Sequence, residues 1–321
     1  MIKNKRILLT GGGGFIGSKL AELLGKENEI LVYDIFLRDS LKYKKFNPKH
    51  FKIIDGDILD FEKLKKTCED FRPQIAVHLA AIAGVDTVIK NPVRTMDINI
   101  VGTMNFLKSL KKYSNLLERV ANFSTSEVLG AYSYKSSEKS STKFAPVGEA
   151  RWTYSVSKVA GEHLTYSFYK EYNYPIVTVR PFNIYGPGQI GEGAIQIFIK
   201  NAVKNKNIEI HGEGDQIRSW CYIDDMMDGI ILCLTNKKAI GEIFNIGNPK
   251  GTITISSLAE KIVTLCKTKS KIVYVPKNYV DVELRIPSIE KAGSLLGFKP
   301  KVDLNSGIKE TFKWYKKWLS N

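Results

Sequence analysis

Long apolar runs and clustered cysteines are both missing from this 321-residue chain. No stretch approaches the ~18 apolar residues that span a bilayer. A strand pattern follows Met1-Ile-Lys-Asn directly, which leaves no room for a signal peptide. The cysteines, Cys68, Cys221, Cys233 and Cys266, have neither CxxC nor metal-ligand spacing. We therefore expect no membrane span, no metal site, and reduced thiols as in a cytoplasmic enzyme.

The chain also lacks a nucleic-acid signature, despite a formal net charge of +15. Its lysines are dispersed, as at Lys111-Lys112, without a basic stripe interleaved with aromatic residues and without a known nucleic-acid motif. The composition, 43% hydrophobic and 25% charged, is that of an ordinary globular protein. The charge thus predicts a solvated, lysine-rich surface and no nucleic-acid partner. Its field would favour an anionic substrate.

A glycine run near the start of the chain has the spacing of a phosphate-binding turn. The run Thr10-Gly-Gly-Gly-Gly-Phe-Ile-Gly17 lies between a short apolar strand pattern and an amphipathic helical pattern. Two spacings fit, because either Gly11 or Gly12 can begin a series that continues through Gly14 to Gly17. Glycines there permit a tight turn and let a pyrophosphate approach the backbone at the helix N-terminus. The run therefore predicts a dinucleotide site.

An acidic residue at the end of the second predicted strand selects between the two nicotinamide dinucleotides. Asp34 ends this strand, about 20 residues after the glycines. A carboxylate there accepts hydrogen bonds from the adenosine ribose and repels a 2′-phosphate, so we expect NAD rather than NADP. Arg38 is close enough in sequence to hold that phosphate instead. We interpret it as a solvated loop charge.

The segment Tyr154-Ser-Val-Ser-Lys158 supplies a candidate acid/base pair. A free tyrosine has a pKa of about 10 and is a poor base at neutral pH. On a helix, Lys158 lies one turn after Tyr154 on the same face, and its positive charge favours the phenolate. Lowering the pKa of Tyr154 to ~7 requires roughly 4 kcal/mol, which Lys158 and a positively charged nicotinamide ring could supply together.

Strand and helix patterns alternate through the first 180 residues, which predicts a parallel sheet with helices on both faces. The predicted strands lie near 6–9, 29–34, 51–54, 75–79, 119–124 and 176–180, and the predicted helices near 15–25, 61–69, 93–113 and 153–172. After Pro181 the elements become shorter and form a smaller lobe. The Ser- and Lys-rich segment 131–151 is predicted to be a surface loop beside the active site.

Further motifs extend over the whole chain. They are Gly56-Asp57-Ile58, His78-Leu79-Ala80-Ala81, Asn99-Ile-Val-Gly-Thr103, Ser124-Thr-Ser-Glu-Val-Leu-Gly130, Arg180-Pro-Phe-Asn183, Arg218-Ser-Trp-Cys-Tyr-Ile-Asp224 and Asn245-Ile-Gly247. With the glycine run and the Tyr154/Lys158 pair, the chain resembles the extended short-chain dehydrogenases/reductases that act on nucleotide sugars. The resemblance implies a Rossmann-type, doubly wound α/β fold with a smaller C-terminal α/β substrate lobe. The NAD-binding domain would comprise 1–180 plus 221–250, and the nucleotide-sugar lobe 181–220 plus 251–321.

The resemblance also implies which residues form the site. Catalysis would use Thr125, Glu127, Tyr154 and Lys158. NAD would contact Gly11, Gly14, Phe15, Ile16, Gly17, Asp34, Asp57, Ile58, Leu79, Ala80, Ala81, Asn99, Tyr154, Lys158 and Pro181. A nucleotide-diphosphate sugar would contact Ser126, Asn183, Arg218 and Arg285. The two arginines suit a diphosphate, because a guanidinium makes paired, charge-assisted hydrogen bonds to phosphate oxygens.

A homodimer is expected on the same resemblance. Helices 93–113 and 153–172 of each subunit would pack as a four-helix bundle. The apolar residues proposed for these surfaces are Ile100, Met104, Leu107, Val159, Leu164 and Phe168.

The two histidines on strand patterns have a simpler interpretation. His78 and His211 both follow apolar residues of short strands. We expect both to be core histidines rather than catalysts.

Glu127 separates the reactions that the resemblance leaves open. Sugar 4-epimerases of this kind typically have small residues at its position, whereas 4,6-dehydratases and glucuronate decarboxylases carry a glutamate two residues after the threonine. Many hexose dehydratases read Thr-Asp-Glu, with the aspartate as leaving-group acid, and this chain reads Thr125-Ser126-Glu127. A lyase is therefore favoured, with a 4-epimerase as the alternative. A non-catalytic dinucleotide sensor is disfavoured, because Tyr154 and Lys158 are both present.

Overall fold

The structure is a computed structural model that describes residues 2–144, 146–277 and 281–319. Its strands are β1 (Arg6–Thr10), β2 (Glu29–Asp34), β3 (Phe51–Asp55), β4 (Ile75–His78), β5 (Arg119–Phe123), β6 (Tyr132–Ser136), β7 (Ile176–Pro181), β8 (Ile184–Tyr185), β9 (Ile208–His211), β10 (Ile217–Ser219), β11 (Cys221–Tyr222), β12 (Ile243–Ile246), β13 (Thr252–Thr254), β14 (Ile272–Val275) and β15 (Leu284–Pro287). Its α-helices are α1 (Phe15–Leu24), α2 (Phe61–Phe71), α3 (Val85–Lys90), α4 (Pro92–Met96), α5 (Gly102–Ser109), α6 (Ala150–Tyr172), α7 (Ala194–Val203), α8 (Ile223–Thr235), α9 (Ile255–Cys266), α10 (Glu290–Leu296) and α11 (Leu304–Leu319).

The main sheet is parallel and seven-stranded, in the order β12-β7-β5-β4-β1-β2-β3. Strand order reverses at β1, whose neighbours are β2 and β4. The inner strands are buried along their length and mostly apolar, as expected for parallel strands covered on both faces. The predicted doubly wound fold is confirmed. In such a sheet, ligands bind at the carboxyl ends of the strands near the reversal.

Helices cover both faces of this sheet and divide the apolar core in two. Leu20 of α1 and Met226 of α8 pack on one face. Leu64 of α2, Phe106 of α5 and Phe168 of α6 pack on the other. Apolar residues spaced three or four positions apart place one stripe of each helix against the sheet. The two layers fix the positions of α1, which begins at the end of the glycine turn, and of α6, which carries Tyr154.

A second, four-stranded sheet in the order β13-β10-β15-β6 builds the smaller lobe. Its β6 corrects the prediction of a surface loop at 131–151, because residues 132–136 pair in parallel with β15. Along β6, Tyr132 and Tyr134 are exposed while Ser133 between them is buried. The serines and lysines of this segment show no alternation of apolar and polar residues, so its sequence does not predict a strand. Its hydrogen-bonding partner, β15, lies far away in sequence.

The predicted helix 93–113 is interrupted. It consists of α4, a π-helical turn at Asp97–Val101, α5 and a 3₁₀ segment at Lys111–Leu116. The π turn carries Asn99, whose side chain bonds to the backbone of Ile82. Such turns often occur at functional sites. None of the described helices is long and apolar enough to cross a bilayer.

Candidate active site

The glycine turn is packed too closely for any side chain on two of its glycines. Gly11 has φ of +72°, and a Cβ there would lie 2.3 Å from the backbone N of Ala80. A Cβ on Gly17 would lie 2.7 Å from the Gly11 carbonyl oxygen. A Cβ on Gly14, at the start of α1, would come no closer than 3.4 Å to that oxygen. The first turn of α1 therefore presents its unpaired N–H groups beside a bare backbone, which fits a pyrophosphate.

Asp34 is fixed beside this turn. Its carboxylate accepts hydrogen bonds from the backbone N–H of Gly13 at 2.8 Å and of Phe36 at 2.9 Å. Burial raises the pKa of Asp34, and these hydrogen bonds oppose the rise. Each oxygen retains a lone pair for a ribose hydroxyl.

Arg38 is not the solvated charge that the sequence suggested. Its guanidinium bonds to Glu192 at 3.1 Å and to the Thr87 hydroxyl at 3.3 Å. Glu192 also accepts from the Thr87 hydroxyl and from the backbone N–H of Asp86. Because the Arg38 charge is paired with Glu192, it does not offset the negative charge of Asp34 as a free arginine would.

The other predicted cofactor residues follow the neighbouring strands. Asp57 lies just after β3, and its carboxylate binds Arg94 and the Leu59 N–H. Leu79, Ala80 and Ala81 follow β4 directly and are half-buried, while Phe15 and Ile16 open α1, Ile58 is buried after β3 and Pro181 ends β7.

Asn99 is buried, and its amide is engaged inside the protein. It donates to the Ser157 hydroxyl at 2.9 Å and to the Ile82 carbonyl at 3.1 Å, and it accepts from the Ile82 N–H at 2.9 Å. Its geometry is that of a residue that ties the segment after β4 to α6. A direct contact of Asn99 with NAD stays a prediction.

Tyr154 and Thr125 are brought together by α6 and the end of β5. Their side chains share a hydrogen bond. Burial raises the pKa of Tyr154, the Thr125 bond lowers it, the charge of Glu127 raises it, and that of Arg285 lowers it. Within the protein alone, desolvation of the phenolate outweighs the favourable contacts. The expected lowering of the Tyr154 pKa, which included the nicotinamide ring, stays a prediction.

Lys158 lies one turn further along α6 and is buried. Burial lowers the pKa of Lys158 to about 8, and the charge of Glu162 opposes that change. Glu162 in turn makes a buried, two-bonded ion pair with Arg180, at 2.7 and 2.6 Å. At neutral pH Lys158 remains mostly protonated, so it still offers a positive charge.

The two histidines have opposite outcomes. His78 is confirmed as a core residue, since it is 1% exposed and bonds to Thr10 and Thr103. Burial and then the charge of Lys158 lower the pKa of His78 to about 3, so the ring is neutral. The prediction for His211 is wrong, because alternation along β9 places this residue on the exposed side.

Glu127 is held by two arginines. Arg285 Nη1 lies 2.5 Å from Glu127 Oε1, and Arg151 reaches both carboxylate oxygens, with Nε at 3.2 Å and Nη2 at 3.3 Å. Burial by itself raises the pKa of Glu127, but the charges of Arg285, Arg151 and Arg218 and the Arg285 hydrogen bond bring it below its ordinary value. Glu127 is thus ionised at neutral pH.

Arg285 and Arg218 are adjacent in the second sheet, where β15 and β10 pair them directly. Arg285 has no exposed side-chain surface, and its other contact is the Gly130 carbonyl at 2.6 Å. Arg218 binds Asp281 at 3.0 Å and the Val282 carbonyl at 2.5 Å. Both were predicted to bind phosphate. In the structure their guanidinium groups contact carboxylates and carbonyls, so their substrate contacts stay predictions.

Two further predicted substrate residues border this cluster. Ser126 is buried in the 3₁₀ turn that carries Glu127. Asn183 has φ of +40°, and its amide donates to the Ser219 carbonyl at 3.1 Å. That bond ties the segment after β7 to the end of β10, and so places Asn183 between the two sheets.

Two members of the cluster, Arg151 and Asp281, are not predicted from the sequence. Arg151 Nη1 lies 3.1 Å from Asp281 Oδ1, which also accepts from Arg218. The one available signal was that Arg151 precedes Tyr154 by three positions, which is a single turn of α6. Asp281 had no signal, because its two arginine partners are 63 or more positions away.

These features together are a dinucleotide turn, a hydrogen-bonded Tyr–Thr pair and a buried cluster of charges. A family model described as "NAD dependent epimerase/dehydratase family" matches residues 7–247. The chain belongs to this family. Its relatives are NAD-dependent 4-epimerases, decarboxylases and 4,6-dehydratases of nucleotide sugars, so the chain is an enzyme of that class and NAD is its cofactor.

Two curated relatives and one solved structure are similar over nearly their whole length. A UDP-glucuronate 4-epimerase of Thermodesulfobacterium geofontis is 33% identical and covers 96% of this chain and 95% of its own. A UDP-N-acetyl-alpha-D-glucosaminuronate decarboxylase of Bacillus cytotoxicus is 32% identical, with 97% and 98% covered. The structure of a UDP-glucuronic acid 4-epimerase from Bacillus cereus, with UDP-glucuronic acid and NAD, has a TM-score of 0.85 at 30% identity, with 97% and 99% covered.

Proposed function

We propose that the enzyme decarboxylates a nucleotide-linked hexuronate through a 4-keto intermediate. The observation that carries this proposal is the cluster around Glu127. Three arginines and two carboxylates are grouped there next to Tyr154, so one positive charge is left uncompensated. An anionic sugar would complete that balance, since a buried charge is costly without a partner. A C6 carboxylate supplies a negative charge at the end of the cluster beside Tyr154, apart from the diphosphate that Arg218 is predicted to meet.

The same cluster favours a lyase over an epimerase. Epimerisation needs only the proton carrier and the cofactor, so a carboxylate fixed by Arg285 and Arg151 has no step to perform. Dehydration needs an acid for the leaving hydroxyl. Ser126 stands where many dehydratases have that acid, and the depressed pKa of Glu127 makes it a poor proton donor. Loss of carbon dioxide needs no such acid.

The first step is oxidation of the sugar at C4. Tyr154, once ionised, takes the proton of the sugar 4-hydroxyl. The side-chain hydroxyl of Thr125 orients that 4-hydroxyl by a hydrogen bond. Bound NAD supplies hydride acceptance at C4 and a positive ring that favours the phenolate. Burial holds the pKa of Tyr154 high in the protein alone. The positive ring adds to the charge of Lys158 and so supplies the further stabilisation that the phenolate needs. The glycine turn and Asp34 hold the dinucleotide.

The second step breaks the C5–C6 bond of the resulting β-keto acid. Carbon dioxide leaves, and the bonding electron pair moves onto the C4 oxygen. Thr125 and the now protonated Tyr154 can donate hydrogen bonds to that oxygen, so they stabilise the charge where it develops. A proton from solvent then adds to C5. Tyr154 returns its proton to the C4 oxygen as the hydride taken from C4 comes back from the cofactor, so the product differs from the substrate by carbon dioxide alone. Glu127 keeps Arg285 beside the departing carboxylate.

Product mass tests the proposal. Purified enzyme is incubated with UDP-glucuronate, UDP-N-acetylglucosaminuronate, UDP-glucose and dTDP-glucose. We expect a uronate to lose about 44 mass units, the mass of carbon dioxide, and the neutral sugars to be unchanged. A loss of about 18 from a neutral sugar would show dehydration, and would overturn the proposal.

A uronate 4-epimerase is the second candidate. It is favoured by the full-length similarity to a UDP-glucuronate 4-epimerase. In the same incubation it would give a product of unchanged mass and altered chromatographic retention. Both candidates share the anionic sugar, so they differ only in the step after the ketone has formed.

We also propose a homodimer through α4, α5 and α6, on different residues from those that the sequence suggested. Leu107 and Phe168 are buried in the chain's own core, and Met104 and Leu164 pack against it. The exposed apolar residues of this region are instead Val93 of α4, Val101 of the π turn between α4 and α5, and Val156 and Tyr166 of α6. Light scattering at micromolar concentration should give twice the 36.2 kDa chain mass. Val101→Asp together with Val156→Asp should give the monomer, whereas Lys108→Asp, an exposed neighbour, should not.

A further inference from the structure

The cluster around Glu127 is a row of alternating charge rather than a set of separate pairs. In order it reads Arg285, Glu127, Arg151, Asp281 and Arg218. Among the described residues, Arg151 alone contacts both carboxylates, Glu127 through two nitrogens and Asp281 through the third. Arg151 therefore links Glu127 with Asp281, while Arg285 and Arg218 at the two ends of the row are neighbours across β15 and β10.

One carboxylate oxygen of Asp281 binds both arginines in the second half of the row, Arg151 and Arg218. Asp281 Oδ1 accepts from Arg151 at 3.1 Å, from Arg218 at 3.0 Å and from the Val282 N–H at 2.7 Å. Two guanidinium groups thus share a single acceptor atom. Any anion that draws Arg218 away changes what Asp281 offers to Arg151, because the three charges lie within ion-pair distance.

We propose that Asp281 is a positioning residue that couples the substrate's diphosphate to Glu127, through Arg218 on one side and Arg151 on the other. The inference rests on the proposed function and on the predicted contact of Arg218 with the substrate's diphosphate. Phosphate oxygens compete with Asp281 for Arg218. When they succeed, Asp281 acts on Arg151 alone and draws it from Glu127, so the carboxylate is loosened only while a substrate is bound.

The coupling predicts an increase in affinity on removing a carboxylate. Asp281→Asn should bind the diphosphate about fivefold more tightly, at the low end of usual couplings between sites, because Arg218 loses its competitor. Its kcat should fall by about the same factor, because Glu127 stays fixed by Arg151. A disrupted fold would weaken both. The probe is whichever of UDP, dTDP and GDP binds the wild-type enzyme most tightly, measured by calorimetry on the NAD-loaded enzyme.

Glu283→Gln is the matched control, since it removes the same charge from an exposed side chain two positions away. It should change neither quantity. Arg151→Gln provides the second arm. Without Arg151, Asp281 should hold Arg218 more firmly and diphosphate affinity should fall. In the Asp281→Asn background the same Arg151 change should have no effect on affinity.

Unchanged or weaker diphosphate binding by Asp281→Asn would overturn the coupling. So would an Arg151→Gln effect that persists without Asp281, since Arg151 would then contact the diphosphate itself. If Asp281→Asn does not fold, Asp281→Glu should still respond to Arg151→Gln, and no response would reject the proposal. The proposed function is tested separately, and it fails if no uronate loses mass with the wild-type enzyme. In that case the affinity measurements still test the coupling between Asp281 and Arg218.

Discussion

The cofactor turn and the arginine cluster are built in opposite ways. The turn is made of backbone and short-range contacts, and Gly13 and Asp34 are only 21 positions apart. The cluster is made of side-chain charges, and Arg285 and Glu127 are 158 positions apart. A site made of backbone atoms suits a ligand that stays the same, such as the cofactor. A site made of charged side chains, which substitutions can alter, suits a ligand that differs between enzymes, such as the sugar. The reaction can therefore change at the cluster while the cofactor stays the same.

Tyr154 lies where the two regions meet, so its loss should have the largest effect. Tyr154→Phe removes the proton acceptor and little volume. Turnover should fall by about 10²–10⁴-fold while NAD affinity stays within about twofold, measured by product mass and by calorimetry. Tyr134→Phe, at an exposed tyrosine of β6, is the control and should be silent. Retention of a tenth of the wild-type rate by Tyr154→Phe would exclude this tyrosine as the base.

Glu127→Gln should break the cluster alone. Product formation should fall by about 10²-fold, since the charge beside the reacting carboxylate is altered. Oxidation at C4 should persist, because Tyr154, Thr125 and Lys158 are unchanged. Absorbance of reduced nicotinamide should therefore accumulate with substrate and not decay. The amide oxygen still accepts from Arg285, and a thermal melt checks folding. An epimerase would turn over nearly normally, and that result would end the lyase interpretation.

Asp34→Asn should break the cofactor region alone. The variant loses charge-assisted hydrogen bonds to the ribose and the repulsion of a 2′-phosphate, so NAD affinity should fall about tenfold and NADP affinity should rise. Calorimetry with both dinucleotides measures this. Asp39→Asn, in the following loop, serves as control. Equal preference for NADP in the wild-type enzyme would mean that Arg38 leaves Glu192 and binds the phosphate.

Glu127 and Asp34 should have opposite effects on the free energy of unfolding as pH falls, and this is the smallest of the predicted effects. Glu127 has a lowered pKa in the fold, so its stabilisation is present at neutral pH and is lost as pH falls through that pKa. Asp34 has a raised pKa, so folding disfavours its charge and the cost is relieved as pH falls. Urea midpoints from about pH 7 to pH 3 should fall less steeply for Glu127→Gln than for Glu283→Gln, and more steeply for Asp34→Asn.

The residues that could be predicted from the sequence divide between the two regions in the same way. The glycines, Asp34 and the Tyr154/Lys158 pair lie at fixed spacings on single elements, so one strand–turn–helix or one helical turn reveals them. Arg151 and Asp281 acquire meaning only when β15 and β10 bring distant carboxylates to them. The raised pKa of Tyr154 in the protein alone could not be predicted for a related reason, since spacing shows a nearby charge but not how deeply the hydroxyl is buried.

The pairing of β6 with β15 has a consequence for how the chain folds. Tyr132 lies opposite Leu284, a residue about 150 positions later. A growing chain can form β1 through β5 and their helices early, but among the described strands β6 has its hydrogen-bonding neighbour only in β15, so it cannot pair until residues 284–287 have been synthesised. Long-range pairings of this kind slow folding and leave a strand exposed to other chains meanwhile. Glu127, five positions before β6, gains its Arg285 partner only in that last event, so the active site is among the final parts of the molecule to form.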